Sequence, residues 1–451
     1  MLASLFKRLL IQEDRLKTIV LTAGAGLVSK VVNFAMIFAV VPLTLPALGP
    51  DRFGVLMTIL GYGALFAFLD LGLGSALIRE SAKFKVLGNS VATADMLGSA
   101  LFMLLGLGLV FSAVMLVAAF AVPIGAIFYR LPFTYHEETR SALIGFALVF
   151  SIALPLQGLQ KIYLGLQCGY ITHLVSAILS LIALATLYHF RQSNLTIQQI
   201  LLVTYGLPAL APIVYLPWFL RDRLASYSFR LRAFRLNTIV LFRSGSLFLV
   251  LQLGYVLGWS IDGSLTSATL GASAAGALAI VQRLFQLVSV PLNLINAPLW
   301  PAYSDAIARD DVAFIKLTLK RSMSLTAIAA VFAVFAIMIF RNEIVSVWFG
   351  RHLDISATLI LLAGLMVALE STGNCFAMYL NGLHILRPQI IVALTFILLS
   401  VPIKYIMINR FGIEGVVAAT IVCYIICVII PYSTVFRPSI FLPINGNNNR
   451  A

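Results

Sequence analysis

The chain has 451 residues, of which 61% are hydrophobic and only 11% charged, and its mean hydropathy of +1.01 is far too apolar for a water-soluble domain. An all-α integral membrane protein is expected, because no strand-like alternation competes with the long apolar runs. The formal charge of +14 belongs to membrane topology, since basic loops are held on the cytoplasmic side, and no nucleic acid is expected as a partner.

Residues 1–17, MLASLFKRLLIQEDRLK, mix apolar positions with Lys7 and Arg8. They lack the layout of a cleavable signal and suit a short interfacial helix on the cytoplasmic side. A span needs about 20 apolar residues, because the hydrocarbon core is roughly 30 Å thick and a helix rises about 1.5 Å per residue; about twelve segments qualify. The first six are predicted at 18–46, 53–77, 92–128, 141–163, 171–190 and 200–220. The basic stretch 221–237, RDRLASYSFRLRAFRLN, is the longest cytoplasmic connection and reads as a linker. A second six follow at 238–261, 270–300, 321–348, 357–380, 389–408 and 415–435, and residues 437–451 form a cytoplasmic tail. With both termini cytoplasmic, about 20 of the 31 Lys and Arg fall on that side, as the positive-inside rule requires.

Two lobes are thereby expected, residues 18–220 and 238–436, each of six helices. An even number of spans keeps the orientation of a duplicated lobe, which gives a parallel repeat about a pseudo-twofold axis along the membrane normal. Internal similarity points the same way. LGPDRFGVLMTI from Leu48 lies over LGASAAGALAIV from Leu270, setting Gly49 against Gly271 and Gly54 against Gly276, and YLGL at Tyr163 parallels YLNGL at Tyr379.

The eighth span carries unusual polarity. Gln282, Gln286, Ser289, Asn293 and Asn296 recur at spacings that stack them on one helix face, with Arg283 at its shoulder. Arg283 lies about 18 Å into its span, where a charge costs at least about 2.5–3.5 kcal/mol, so it should face a wet cavity or a partner. Lys30 shares a face of the first span with Gly26 and Asn33, and Glu370 lies midway along the tenth with Asn374 four residues on. Asp70 precedes LGLGSALIRE, and Gln157 and Lys161 share the cytoplasmic end of the fourth span.

These groups could pin helices together, Arg283 with Asp70 or Glu370 for example, the Asp70 run could be a polar turn at a helix end, and amides are common glue between membrane helices. Polar residues in five different spans favour a shared lumen instead. Lys30 and Arg283 would make that lumen attractive to an anion. The substrate-binding candidates are Arg283, Lys30, Asn33, Gln282, Gln286 and Asn293, and Asp70 and Glu370 are candidate carboxylates for a coupling proton or sodium ion. Cys168, Cys375, Cys423 and Cys427 read as packing residues. No GxxxxGK[ST], HExxH or metal-spaced His cluster occurs, so no catalytic residue, metal or cofactor is expected.

The stretch LGPDRFGVLMTILGYGALFAFLDLGLGSALIRE, residues 48–80, is similar to the LG-x4-G, DLGxG and Arg pattern near the second span of polysaccharide flippases. These are the Wzx-type oligosaccharide transporters of the multidrug/oligosaccharidyl-lipid/polysaccharide exporter superfamily. AIVQRLFQLVSVPLNLINAPLWPAYSDAIARDD resembles that family's eighth helix and following loop, and FGIEGVVAATIVCYIICVII its last span. The resemblance implies two six-helix bundles facing across a central cavity, in the bacterial cytoplasmic (inner) membrane. It implies no enzyme but a flippase, moving polyprenyl-pyrophosphate-linked oligosaccharide to the periplasmic leaflet for O-antigen, capsule or exopolysaccharide assembly by alternating access. Arg283 and Lys30 would suit the pyrophosphate, the Gln and Asn stripe the sugars, and a gap between the lobes the isoprenoid. Some relatives use an ion gradient, for which Asp70 and Glu370 are the candidates. A drug or cation exporter of the same superfamily should want an acidic lumen. A membrane glycan polymerase or ligase should carry a large external loop, whereas the longest here, near 129–140 and 349–356, assemble no acid and base pair.

Overall fold

The first helix, α1 (Leu2–Leu65), shows how one rod holds two spans: it is continuous except at Gly49, whose φ of 72° and ψ of 173° break it. The structure is a computed structural model that describes residues 2–66, 70, 72–87, 91–222, 234, 237–239, 258, 260–349, 356–383, 385 and 387–437. Most of the predicted linker 221–237, the seventh span 238–261 with Arg243, and the tail 437–451 lie outside them, as does most of the loop near 349–356. The segment 1–17, expected as a separate interfacial helix, continues into the first span without a break up to Gly49.

The rest of the first unit runs through α2 (Leu73–Leu87), α3 (Val91–Ala121), α4 (Ile124–Ile127), α5 (His136–Gly165), α6 (Gly169–His189), α7 (Ile197–Leu201), α8 (Leu207–Ala209) and α9 (Leu216–Asp222). The second runs through α10 (Ile261–Thr269), α11 (Ala272–Asn296), α12 (Leu299–Ala308), α13 (Val312–Ile339), α14 (Arg341–Phe349), α15 (Ala357–Gly382), α16 (Arg387–Tyr424) and α17 (Ile430–Ser433). All described secondary structure is helical. The chain divides into two compact units, Met1–Leu249 and Val250–Ala451.

Among the described residues, eight helical runs are long and apolar enough to cross a membrane. Leu21–Gly63 holds most of the first predicted span and residues 53–63 of the second, predicted at 53–77, whose helix ends at Leu65. Arg387–Ser433 holds the eleventh and twelfth, parted at Gly412 with φ of 64°. The eight runs thus carry all or part of every predicted span except the seventh and the sixth, the latter being built from short pieces.

Each unit packs a core of its own. In the first, Leu73 and Leu77 of α2 meet Leu97 and Leu104 of α3 and Leu154 and Ile162 of α5. In the second, Val281, Leu284 and Phe285 of α11 pack on Val334 of α13 and on Leu359 and Ala363 of α15. Lipid is as apolar as these side chains, so what joins them is close van der Waals fit rather than flight from water. With that face of α11 turned inward, Gln282, Arg283, Gln286 and Ser289 stay half-buried beside it.

Gly49 and Gly271, matched by the internal repeat, have the same backbone: 72° and 173° in one, 106° and 168° in the other. Only glycine occupies that region freely. Replacing Gly271 by Ala is expected to cost about 1–3 kcal/mol, read as a lower melting temperature of the detergent-solubilised protein. Gly263, a helical position of α10 where an added Cβ meets open space, is the control, and Ala there should leave the melting temperature equal or raise it. A second correspondence follows. A π-helical turn, Leu202–Gly206 in the first unit and Ile425–Ile429 in the second, ends two residues before a proline, Pro208 and Pro431.

Candidate functional site

The sixth predicted span is broken because its sequence forbids a regular ladder. Thr196 starts α7 with a capping box, its hydroxyl accepting from the Gln199 N–H while the Gln199 side chain accepts from the Thr196 N–H. The π turn follows, then α8, then a 3-10 turn, Ala211–Val214, before α9 resumes. Pro208 and Pro212 lack the N–H that a continuous helix would donate. Irregular backbone at membrane depth is tolerated only where protein buries it or where it lines a wet cavity. Here it lines a cavity of about 390 Å³, contributing Thr204, Tyr205, Pro208 and Pro212.

Asn33, one of the residues singled out in the sequence, is on the wall of that cavity. Ser180 Oγ donates to Asn33 Oδ1 at 2.7 Å, tying α6 to α1. Lys30, nearly one turn before Asn33, is exposed and does not line the cavity. It and Lys161 lie within electrostatic reach of His173, whose ring packs over Gly26. A second, apolar cavity of about 460 Å³ is bounded by Leu166, Ile171, Val175 and Trp218 and shares Tyr215 with the first.

Asp70 forms a turn. Its Oδ1 accepts from the Gly72 N–H at 2.9 Å, leading the chain into α2. A Cβ at Gly74 would lie 3.0 Å from Asp70 Oδ2 and 3.3 Å from Lys161 Cε, so both side chains press on that glycine. Near the start of the same 48–80 motif, Arg52 forks onto Glu138, with Nε to Oε2 at 2.9 Å, and also donates to the Leu195 carbonyl at 3.0 Å. Glu138 accepts in turn from the Ile197 N–H at 2.8 Å. A bidentate, charge-assisted pair of this kind fixes geometry, and here it joins α1, α5 and the start of α7.

In the second unit Arg283 Nη1 donates to Gln286 Oε1 at 3.1 Å, one turn along α11. Among the described residues Arg283 takes part in no ion pair. The pairing of Arg283 with Glu370 in the same unit, weighed in the sequence, is therefore not formed. Gln282 is half-buried beside it. The lower part of the stripe is used differently: Asn374 of α15 donates to Asn293 Oδ1 at 2.6 Å, and Thr326 of α13 donates to Asn296 Oδ1 at 3.4 Å. Those two amides hold helices together. Glu370, about one turn before Asn374, is half-buried and lies within electrostatic reach of Tyr424.

Sequence reasoning missed one pair altogether. Lys404 of α16 is fully buried, and its Nζ meets Asp262 Oδ1 of α10 at 2.5 Å while also donating to the Gly258 carbonyl. Asp262 Oδ2 is buried without a partner among the described residues. The predicted spans ended at 261 and 408, which put both residues at span ends where charges normally reach water.

The family described as polysaccharide biosynthesis protein matches residues 21–307, a stretch that takes in the Gly49 break, the cavity of the first unit and the whole of α11 with Arg283. The chain belongs to the polysaccharide biosynthesis protein family. No curated protein matches the sequence of this family member. Its fold is that of the MOP superfamily of multi-pass membrane proteins, two lobes of helices. An inward-facing multidrug resistance MATE family transporter of that superfamily superposes with a TM-score of 0.72 at 14% identity, covering 94% of this chain and 99% of the other. The lipid II flippase MurJ, in an inward closed conformation, gives 0.63 at 15% identity over 94% and 90%. A MOP superfamily transporter from Pyrococcus furiosus, described by a reversed polarity of its binding pocket, gives 0.56 at 16% identity over 95% of each chain. At such identities the likeness concerns the fold of this polysaccharide biosynthesis family member alone.

Proposed function

We propose that this protein is a flippase of the bacterial cytoplasmic (inner) membrane, with both termini cytoplasmic. It carries a polyprenyl-pyrophosphate-linked oligosaccharide to the periplasmic leaflet by alternating access, for assembly of O-antigen, capsule or exopolysaccharide. The observation that carries this reading is Arg283: a guanidinium about halfway along a membrane helix, bonded to a neutral amide and, among the described residues, to no carboxylate. An unpaired cation at that depth costs at least about 2.5–3.5 kcal/mol, which a structural role would avoid by pairing it. Guanidinium groups bind phosphate oxygens in a forked geometry, so a pyrophosphate is the ligand that offsets the cost.

Gln282 and Gln286 extend the donor surface beside Arg283, and Lys30, exposed on the first unit, is offered separately as a further cation for the pyrophosphate. Asn293 is partly engaged by Asn374 and offers its remaining amide hydrogens to sugar hydroxyls. Membership of a polysaccharide biosynthesis family supports the glycan, and the isoprenoid remains among membrane lipids. Glu370, which has no ion-pair partner among the described residues, is the group offered to a coupling proton or sodium ion. Asp70 spends one oxygen on its own turn and is the weaker of the two. The same free carboxylate supports the second reading, a cation-coupled drug exporter.

In cells, loss of this protein is expected to leave lipid-linked oligosaccharide on the cytoplasmic leaflet and to strip the surface polysaccharide. Wild-type protein should restore the polysaccharide and Arg283→Ala at equal abundance should not. Surface polysaccharide unchanged by the deletion, with heightened sensitivity to cationic dyes, would favour the exporter.

A further inference from the structure

The cavity of the first unit has its own chemistry, and it differs from that around Arg283. Its volume of about 390 Å³ falls within the roughly 300–1,000 Å³ usual for small-molecule sites. No described residue on its wall is charged. An anion would find neither lysine nor arginine there, and a cation would find no carboxylate. What the wall does offer is amides, hydroxyls and two phenol rings.

Part of that polarity is already spent. Asn33 Oδ1 accepts from Ser180, and the hydroxyls of Thr172 and Thr204 donate to the carbonyls of Gly169 and Ile200 on their own helices. Gln157, Gln160 and Ser176 make no side-chain hydrogen bond among the described residues. Each glutamine brings a carbonyl acceptor and two N–H donors, so the wall carries unspent donors and acceptors side by side. Gln157 is exposed and Gln160 and Ser176 are half-buried, so these donors and acceptors are open to water or to a ligand that enters the cavity.

Tyr205 gives the cavity an aromatic surface held in place. Its ring packs 5.5 Å from that of Phe146, and a Cβ at Gly63 would come within 3.1 Å of it. It also sits in the π turn of the broken span, the kind of helix irregularity that recurs at functional sites and that marks substrate sites in transporters with repeated halves. Mixed donors and acceptors around a fixed aromatic face match a pyranose ring, which presents hydroxyls at its rim and C–H groups on its faces.

We propose that this cavity is a sugar subsite, taking a neutral pyranose residue in the first unit without help from Arg283. The lipid carrier of that sugar rests on the flippase reading; the preference for neutral hydroxyl-rich rings over ions does not. Gln160, Ser176 and Tyr205 are the contacts that decide it.

The test uses full-length protein in nanodiscs and measures binding of three probes: the polyprenyl-pyrophosphate oligosaccharide extracted from the source bacterium, sugar-free polyprenyl pyrophosphate, and the oligosaccharide released from its lipid. Wild-type protein should bind the glycosylated lipid more tightly than the bare one. Gln160→Leu with Ser176→Ala should weaken the glycosylated lipid and the free oligosaccharide about tenfold while leaving the bare lipid within about twofold, at unchanged melting temperature. Tyr205→Ala should act in the same direction, and Tyr205→Phe should keep the stacking surface and most of the affinity. Binding of both lipids with no glycan-dependent difference, or one that survives these substitutions, overturns the subsite and leaves the flippase reading intact. Binding of the free oligosaccharide, lost in the variants, with no binding of either lipid, keeps the subsite and overturns the flippase. No binding of any probe overturns both.

Discussion

Arg283→Ala is expected to lower the initial rate of glycolipid transport by about 10–100-fold at equal reconstituted abundance, since charge-assisted hydrogen bonds contribute about 1.5–3 kcal/mol. Stability should not follow activity down. The side chain is hydrogen-bonded to Gln286 alone among the described residues, and its removal relieves the mid-membrane charge, so the melting temperature should hold or rise. Arg283→Lys keeps the charge but loses the planar fork, and an intermediate rate is expected. Adding Lys30→Ala should deepen the loss. A normal rate for the Arg283→Ala, Lys30→Ala double variant would remove the cationic path from the mechanism.

Lys404→Met should have the largest effect on folding. It leaves Asp262 fully buried, with Oδ2 already unpartnered, and removing one member of a buried pair costs about 3–5 kcal/mol. The expected result is a large fall in melting temperature and in the yield of monodisperse protein. Replacing both members, Lys404→Met with Asp262→Leu, should recover most of the loss, because an apolar pair of similar volume avoids the desolvation of either charge. The cycle of single and double variants isolates the coupling. A double variant no more stable than Lys404→Met would show that the ion pair is not what joins α10 to α16.

How much of this was readable in the sequence depends on how local each signal is. Spans were legible because about 20 apolar residues in a row have no other use. Arg283 was legible because a charge stands out in such a run. The repeat was legible at Gly49 and Gly271, where a tight turn leaves glycine as the residue free of strain. Lys404 and Asp262 were not, for a physical reason: near a predicted span end a charge is ordinary. Only the continuation of α10 to Thr269 and the packing of α16 against it place the pair inside. Asp70 could be read either as a turn or as a buried carboxylate, and its bond to the Gly72 N–H is that of the turn.

The cavity of the first unit was hidden because its wall is gathered from α1, α5, α6 and the broken sixth span, so no single stretch announces it. One local sign was available. GLPALAP, with Pro208 and Pro212 inside an apolar run, cannot form an unbroken membrane helix, and the corresponding Pro431 follows a π turn in the second unit. Interrupted spans in matching places of two halves point to where a transporter opens its backbone to a ligand.

The most direct measurement is transport in liposomes holding the purified protein and the native polyprenyl-pyrophosphate oligosaccharide, scored as glycan that becomes accessible to an impermeant glycan-modifying reagent, with ethidium movement followed in parallel. Protein-dependent exposure of the glycan, lost in Arg283→Ala, is the result predicted for a flippase with a cationic substrate path. Gradient-driven ethidium movement with no glycan exposure, across several oligosaccharides, would contradict it and make the protein a drug exporter.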